Sequence, residues 1–66
     1  MLNDVNEVIS DETGKYVAPD QPIGSVVTDS LEFVELWMKL EERFDIRFPN
    51  RDMTPLEICS YIRDNK

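Results

Sequence analysis

The sequence predicts an all-α fold, three helices packed as a small bundle. Apolar residues recur at three- and four-residue steps in three separate stretches, each with a helix-start signal at or near its beginning. Proline and glycine fall between these stretches or at a first helical position. A chain of 66 residues makes one domain at most, residues 1–66, in the size range where a single core barely offsets the entropy of ordering the chain.

The first helix is expected from Leu2, Val5, Val8 and Ile9, with Asp4 and Glu7 spaced as a capping box and Gly14 marking its end. Between Lys15 and Thr28, Pro19, Pro22, Gly24 and several small or polar residues oppose regular structure. Tyr16, Val17, Ile23, Val26 and Val27 would tether this long loop to the core. The second helix carries two adjoining apolar stripes, Leu31, Val34 and Met38 beside Phe33, Leu36, Trp37, Leu40 and Phe44. Asp29 as N-cap with Glu32 three residues on would satisfy backbone N–H groups that the first turn leaves unpaired, which puts Ser30 at the first helical position. After Phe44, Pro49 forbids continuation, and Ile46 and Phe48 suggest a buried connector. Thr54-Pro55-Leu56-Glu57 then combines a capping hydroxyl, a proline at the first helical position and a glutamate three after the cap. Leu56, Ile58, Cys59 and Ile62 give this last helix its apolar side.

Composition narrows the function. A single cysteine rules out an internal disulfide, and a chain without histidine is poorly equipped for a zinc site or for histidine-based acid–base catalysis. No enzyme activity and no metal are expected. The first ten residues mix Asn, Asp and Glu with apolar positions, unlike a signal peptide, and no stretch approaches transmembrane length. The expectation is a cytoplasmic monomer without membrane insertion. A formal net charge of −7 repels nucleic acid and favours partners with basic patches. Ten acids face two bases through Glu42, whereas the remainder holds four acids and five bases, so the negative field belongs to the first two-thirds of the chain.

A serine beside a helix start is ordinarily a cap. Here Asp29 supplies the cap, leaving Ser30 free to project its hydroxyl at the positive end of the longest helix, where backbone N–H groups and the helix dipole favour negative charge. The run Asp29-Ser30-Leu31-Glu32-Phe33-Val34-Glu35-Leu36 resembles the Asp-Ser-Leu motif of acyl carrier proteins. Met38, Leu40, Glu41, Glu42 and Phe44 continue that family's central helix in register. Phe48-Pro49 is similar to its Ile-Pro step, and Tyr61-Ile62 to its final helix. The likeness covers most of Asp29 to Ile62 and is weaker before it.

The resemblance implies a three- to four-helix bundle of acyl-carrier type. It implies that Ser30 accepts 4′-phosphopantetheine from coenzyme A through a separate, magnesium-dependent phosphopantetheinyl transferase, and that the arm's thiol holds acyl groups as thioesters for partner enzymes. It also implies that the central helix docks on Arg and Lys patches of the acyl-loading and acyl-transferring enzymes. Asp29, Glu32, Glu35, Glu41 and Glu42 would supply charge, and Leu31, Met38 and Phe48 apolar contact. Cys59, on an apolar stripe, is expected to be a core filler rather than the cargo thiol.

Departures from the family qualify these expectations. Val27-Thr28 replaces the usual Gly-Ala type of approach, and Arg43 and Arg47 stand where many carriers keep acids. Asn50 to Met53 is shorter than the usual link, so the family's small third helix should be short or absent. Phe33 and Trp37 are bulkier than is common, which fits core filling and a shallow acyl pocket. Two other functions compete: a peptidyl, aminoacyl or D-alanyl carrier, which shares the serine-linked arm, and an unmodified acidic interaction module. A DNA-binding three-helix domain is disfavoured, because its recognition helix would carry Glu where Lys and Arg are needed.

Overall fold

The computed structural model describes residues 2–49 and 52–65. Helix α1 spans Leu2–Thr13, α2 spans Ser30–Phe44 and α3 spans Pro55–Asn65. The described residues include no strand. Helix α1 packs on both other helices.

Helix α1 buries Val5, Val8 and Ile9. Because it begins at Leu2, Asp4 lies inside its first turn and is not the N-cap that its spacing to Glu7 suggested. Its end falls where expected: Gly14 takes a left-handed φ of 69° and donates its N–H to the Ser10 carbonyl at 2.8 Å, a conformation that costs a residue with a Cβ more than it costs glycine.

The loop after α1 is tied down through Val17, Ile23 and Val27, all buried, with Val26 half-buried. Tyr16 takes no part in the tether; its side chain is 69% exposed. The loop also contains a single turn of 3₁₀ helix at Ile23–Ser25 where no regular structure was expected. Long-range ties account for it: the Ile23 N–H donates to the Met53 carbonyl, and the Leu56 N–H to that of Pro19, both at 3.1 Å.

Of the two stripes on α2, only one enters the core. Leu36, Trp37 and Leu40 are fully buried, Phe33 and Phe44 pack partly against them, and Leu31, Val34 and Met38 face outward. Burying a large apolar side chain contributes about 1.5–3 kcal/mol, so this face sets how α2 is rotated. The helix ends at Asp45, which adopts a left-handed φ of 52° and donates its N–H to the Glu41 carbonyl.

Residues 45–49 and 52–54 form no helix, in keeping with a missing third helix; Asn50 and Arg51, part of the shortened link, lie outside the described residues. Ile46 and Phe48 are half-buried rather than buried. Helix α3 starts on a reciprocal capping box. The Thr54 N–H donates to Glu57 Oε1 at 2.8 Å, and the Glu57 N–H donates to Thr54 Oγ1 at 3.1 Å. Pro55, Ile58 and Ile62 are its buried residues. Cys59 and Tyr61 are half-buried, whereas Leu56, expected on the apolar side, is 50% exposed. Leu56 lies about 200° round the helix from Ile58, so it falls on the side opposite the buried Ile58 and Ile62, which sit four apart on one face.

Candidate functional site

Helix α2 begins as its capping residues dictate. Asp29 keeps an extended backbone, its carboxylate accepts the Glu32 N–H at 3.0 Å, and its carbonyl accepts the Phe33 N–H at 2.8 Å. The N–H groups of Ser30 and Leu31 find no partner among the described residues and point toward the helix start. Ser30, the first helical residue, is exposed, and its hydroxyl makes no hydrogen bond among the described residues. The result is a solvent-facing hydroxyl beside open N–H donors, at the end of a 15-residue helix where partial positive charge accumulates.

The second half of the expected capping box takes another route. The Glu32 side chain turns away and meets Lys15 from the preceding loop, Nζ to Oε1 at 3.4 Å. Glu12, Lys15, Asp29, Leu31, Glu32 and Glu35 together line an open groove of about 330 Å³ beside the helix start. Lys15 is therefore a basic group within an otherwise acidic rim. Nothing in the sequence signals this, since seventeen residues separate the pair and only the folded loop brings them together.

The remaining site residues expected from the sequence divide between two sides of α2. Leu31 and Met38, 68% and 58% exposed, lie seven residues apart on the outer face, with Glu35 between them and exposed. Glu42 is exposed further along, lining a second groove with Val8, Asp11, Glu12, Lys39 and Arg43; Arg43 itself lies 3.9 Å from Glu7 of α1. Glu41 and Phe48 sit on the other side. The Glu41 carboxylate accepts the Phe48 N–H at 3.0 Å, and the Glu41 carbonyl accepts that of Ile46 at 3.1 Å, so Glu41 holds the connector against the helix. Phe48 is wedged between Trp37 and Tyr61, with ring centroids 5.2 Å and 5.7 Å away.

Cys59 is half-buried on α3, and burial pushes its thiol above the ordinary range; a neutral, shielded thiol is a weak nucleophile. Among the described residues no group of three or more His, Cys, Asp or Glu could hold a metal ion. No helix among them is long and apolar enough to cross a membrane.

No family model matches the chain. Three curated proteins, each called "Acyl carrier protein", are similar to it along its whole length. That of Helicobacter pylori strain J99 is 32% identical over 74 aligned residues, covering 100% of this chain and 95% of the relative. Those of strains G27 and HPAG1 are 31% identical over the same span and with the same coverage.

Proposed function

The chain belongs to the acyl carrier protein family, and from that premise we propose that Ser30 is its point of covalent modification, bearing a 4′-phosphopantetheine arm on which acyl groups travel as thioesters. The observation that carries this is the uncapped, solvent-facing Ser30 hydroxyl at the start of α2. In the modification the Ser30 oxygen attacks the phosphorus that bears the pantetheine in coenzyme A. A new O–P bond forms, the diphosphate P–O bond breaks to release adenosine 3′,5′-bisphosphate, and the hydroxyl proton passes to a base of the transferase. The chain contributes an accessible oxygen and a first turn whose free N–H groups and dipole favour the phosphate that results.

Within the same proposal, the outer face of α2 meets partner enzymes. Asp29, Glu32, Glu35 and Glu42 offer carboxylates to Lys and Arg patches, and Leu31 and Met38 give apolar contact between them. Such charges act mainly on encounter rate and weaken with salt. Glu41 and Phe48 contribute less directly, by fixing the connector. The acidic and apolar face of α2 favours an acyl cargo over an aminoacyl one, and the exposed Ser30 within its Asp-Ser-Leu run favours a modified carrier over a bare interaction module.

Intact-mass measurement tests the proposal. Incubation with coenzyme A, magnesium and a broad-specificity phosphopantetheinyl transferase should add one phosphopantetheine arm to the chain and none to Ser30→Ala. An unchanged mass for the native chain overturns it.

A further inference from the structure

Ten acids and two bases, Lys15 and Lys39, lie between Met1 and Glu42, and the fold brings one of those bases onto the start of α2. Lys15 Nζ lies 3.4 Å from Glu32 Oε1. Of the carboxylates assigned to partner recognition on α2, those of Asp29, Glu32, Glu35 and Glu42, only that of Glu32 meets a cation among the described residues. Two residues turn an α-helix by about 200°, so Glu32 and Ser30 occupy nearly opposite sides of α2. The groove that Lys15 lines with Asp29, Leu31, Glu32 and Glu35 does not take in Ser30. Lys15 is thus placed against the recognition face and not against the point where the arm attaches.

A fixed turn delivers this lysine. Gly14 has a left-handed φ of 69°, the Lys15 N–H donates to Thr13 Oγ1 at 3.1 Å, and that hydroxyl donates to the Ile9 carbonyl at 2.7 Å. Two residues on, Val17 is buried. With its backbone held on both sides, Lys15 has only side-chain freedom to lose on pairing. The pair is not what secures the loop. An exposed ion pair contributes little to stability, whereas buried Val17, Ile23 and Val27 and the backbone bonds from Ile23 to Met53 and from Leu56 to Pro19 already tie the loop to the core. The Lys15 and Glu32 side chains remain 43% and 32% exposed, within reach of a competing cation.

We propose that Lys15 is a specificity-determining residue, a built-in counterion that occupies Glu32 in the free chain and yields it only to a partner whose own cation displaces the lysine. The inference rests on the docking role given to Glu32 under the carrier reading. An arginine is the group best suited to the exchange, because its planar fork engages both carboxylate oxygens where a lysine offers a single point charge. Weakly basic surfaces are left with Asp29, Glu35 and Glu42, so the lysine raises the charge a partner needs before it engages the start of α2.

The test follows arm transfer from coenzyme A to the full chain by a phosphopantetheinyl transferase at low salt, with the carrier as the varied substrate. Lys15→Gln should lower the KM for the carrier about two- to fivefold, the factor that corresponds to a surface ion pair, with kcat unchanged because the pair acts on binding alone. The gain should fade as salt is raised. Lys15→Arg, which keeps the counterion, should show no gain. Lys39→Gln removes the same charge from an exposed residue that makes no ion pair among the described residues, and should gain clearly less. In a Glu32→Gln background, Lys15→Gln should add no more than Lys39→Gln does. An unchanged KM in Lys15→Gln, an equal gain in Lys39→Gln, or a gain that survives in the Glu32→Gln background would each overturn the inference while leaving the carrier function standing. Failure of the native chain to gain any arm would remove both.

Discussion

Replacing Asp29 separates its two roles. Its carboxylate holds the Glu32 N–H at 3.0 Å, and truncating a capping side chain to Ala costs about 1 kcal/mol, within a range of roughly 0.5–2. In a domain of 66 residues a loss of about 1 kcal/mol lowers the melting temperature by roughly 4–8 °C. Asp29→Ala should show that drop in a thermal melt followed by circular dichroism. Asp29→Asn retains a side-chain oxygen and caps about as well, so its melting temperature should stay within a degree or two of the native value. The charge is lost in both variants. If Asp29 also steers the transferase, the initial rate of arm transfer at low salt falls in Asp29→Asn despite its native stability, and the gap closes as salt is raised. An Asp29→Ala variant that melts with the native chain would refute the capping role; full-rate modification of Asp29→Asn at low salt would confine Asp29 to structure.

Two further predictions concern residues whose tasks the fold distinguishes. Glu41→Ala should cost about 1 kcal/mol in urea unfolding, because the half-buried connector loses the acceptor for the Phe48 N–H; Glu42→Ala, exposed, should stay within about 0.5 kcal/mol yet slow arm transfer at low salt. For Cys59, burial raises the thiol's pKa in the folded state, so folding favours the protonated form. The stability this contributes is complete below the ordinary thiol range near about 8.5 and is lost as pH climbs through the folded value. Native protein at pH 8 should therefore react more slowly with a thiol-specific disulfide reagent than urea-unfolded protein, and Cys59→Ala should lose less stability than the native chain between pH 8 and 10. Equal reaction rates would contradict the assignment.

Features that depend on a few adjacent residues were legible in the sequence. Asp29 with Glu32, and Thr54 with Pro55 and Glu57, announce helix starts because capping is satisfied within one turn. Gly14 announces an end because few other residues tolerate its φ. The same local logic misplaced the start of α1: the Asp4–Glu7 spacing fits a capping box, but apolar Leu2 and Val5 already belong to the helix. Periodicity revealed two stripes on α2 without deciding between them, since the choice depends on where α1 and the connector come to rest. Leu56 and Tyr16 were misassigned for the same reason, apolar character alone giving no direction. The Lys15–Glu32 pair, the Glu41–Phe48 bond and the 3₁₀ turn at Ile23–Ser25 arise from contacts between distant segments and left no mark in local pattern. As for the candidate site, the exposed position of Ser30 in the first turn of α2 could be read ahead of the structure, because Asp29 takes the cap, whereas the buried indole N–H of Trp37, without a partner among the described residues, could not.

Helix α1 packs against α3 as well as α2, which joins the earliest helical stretch of the chain to the latest. On a ribosome such a protein cannot complete its core until α3 has emerged, and α1 and α2 meanwhile leave apolar surface open to water. Loop-closure entropy must be met before the last contact rewards it, so folding should be slower than helix content alone suggests, and shortening the chain within α3 should cost the whole cooperative unit rather than one helix of it.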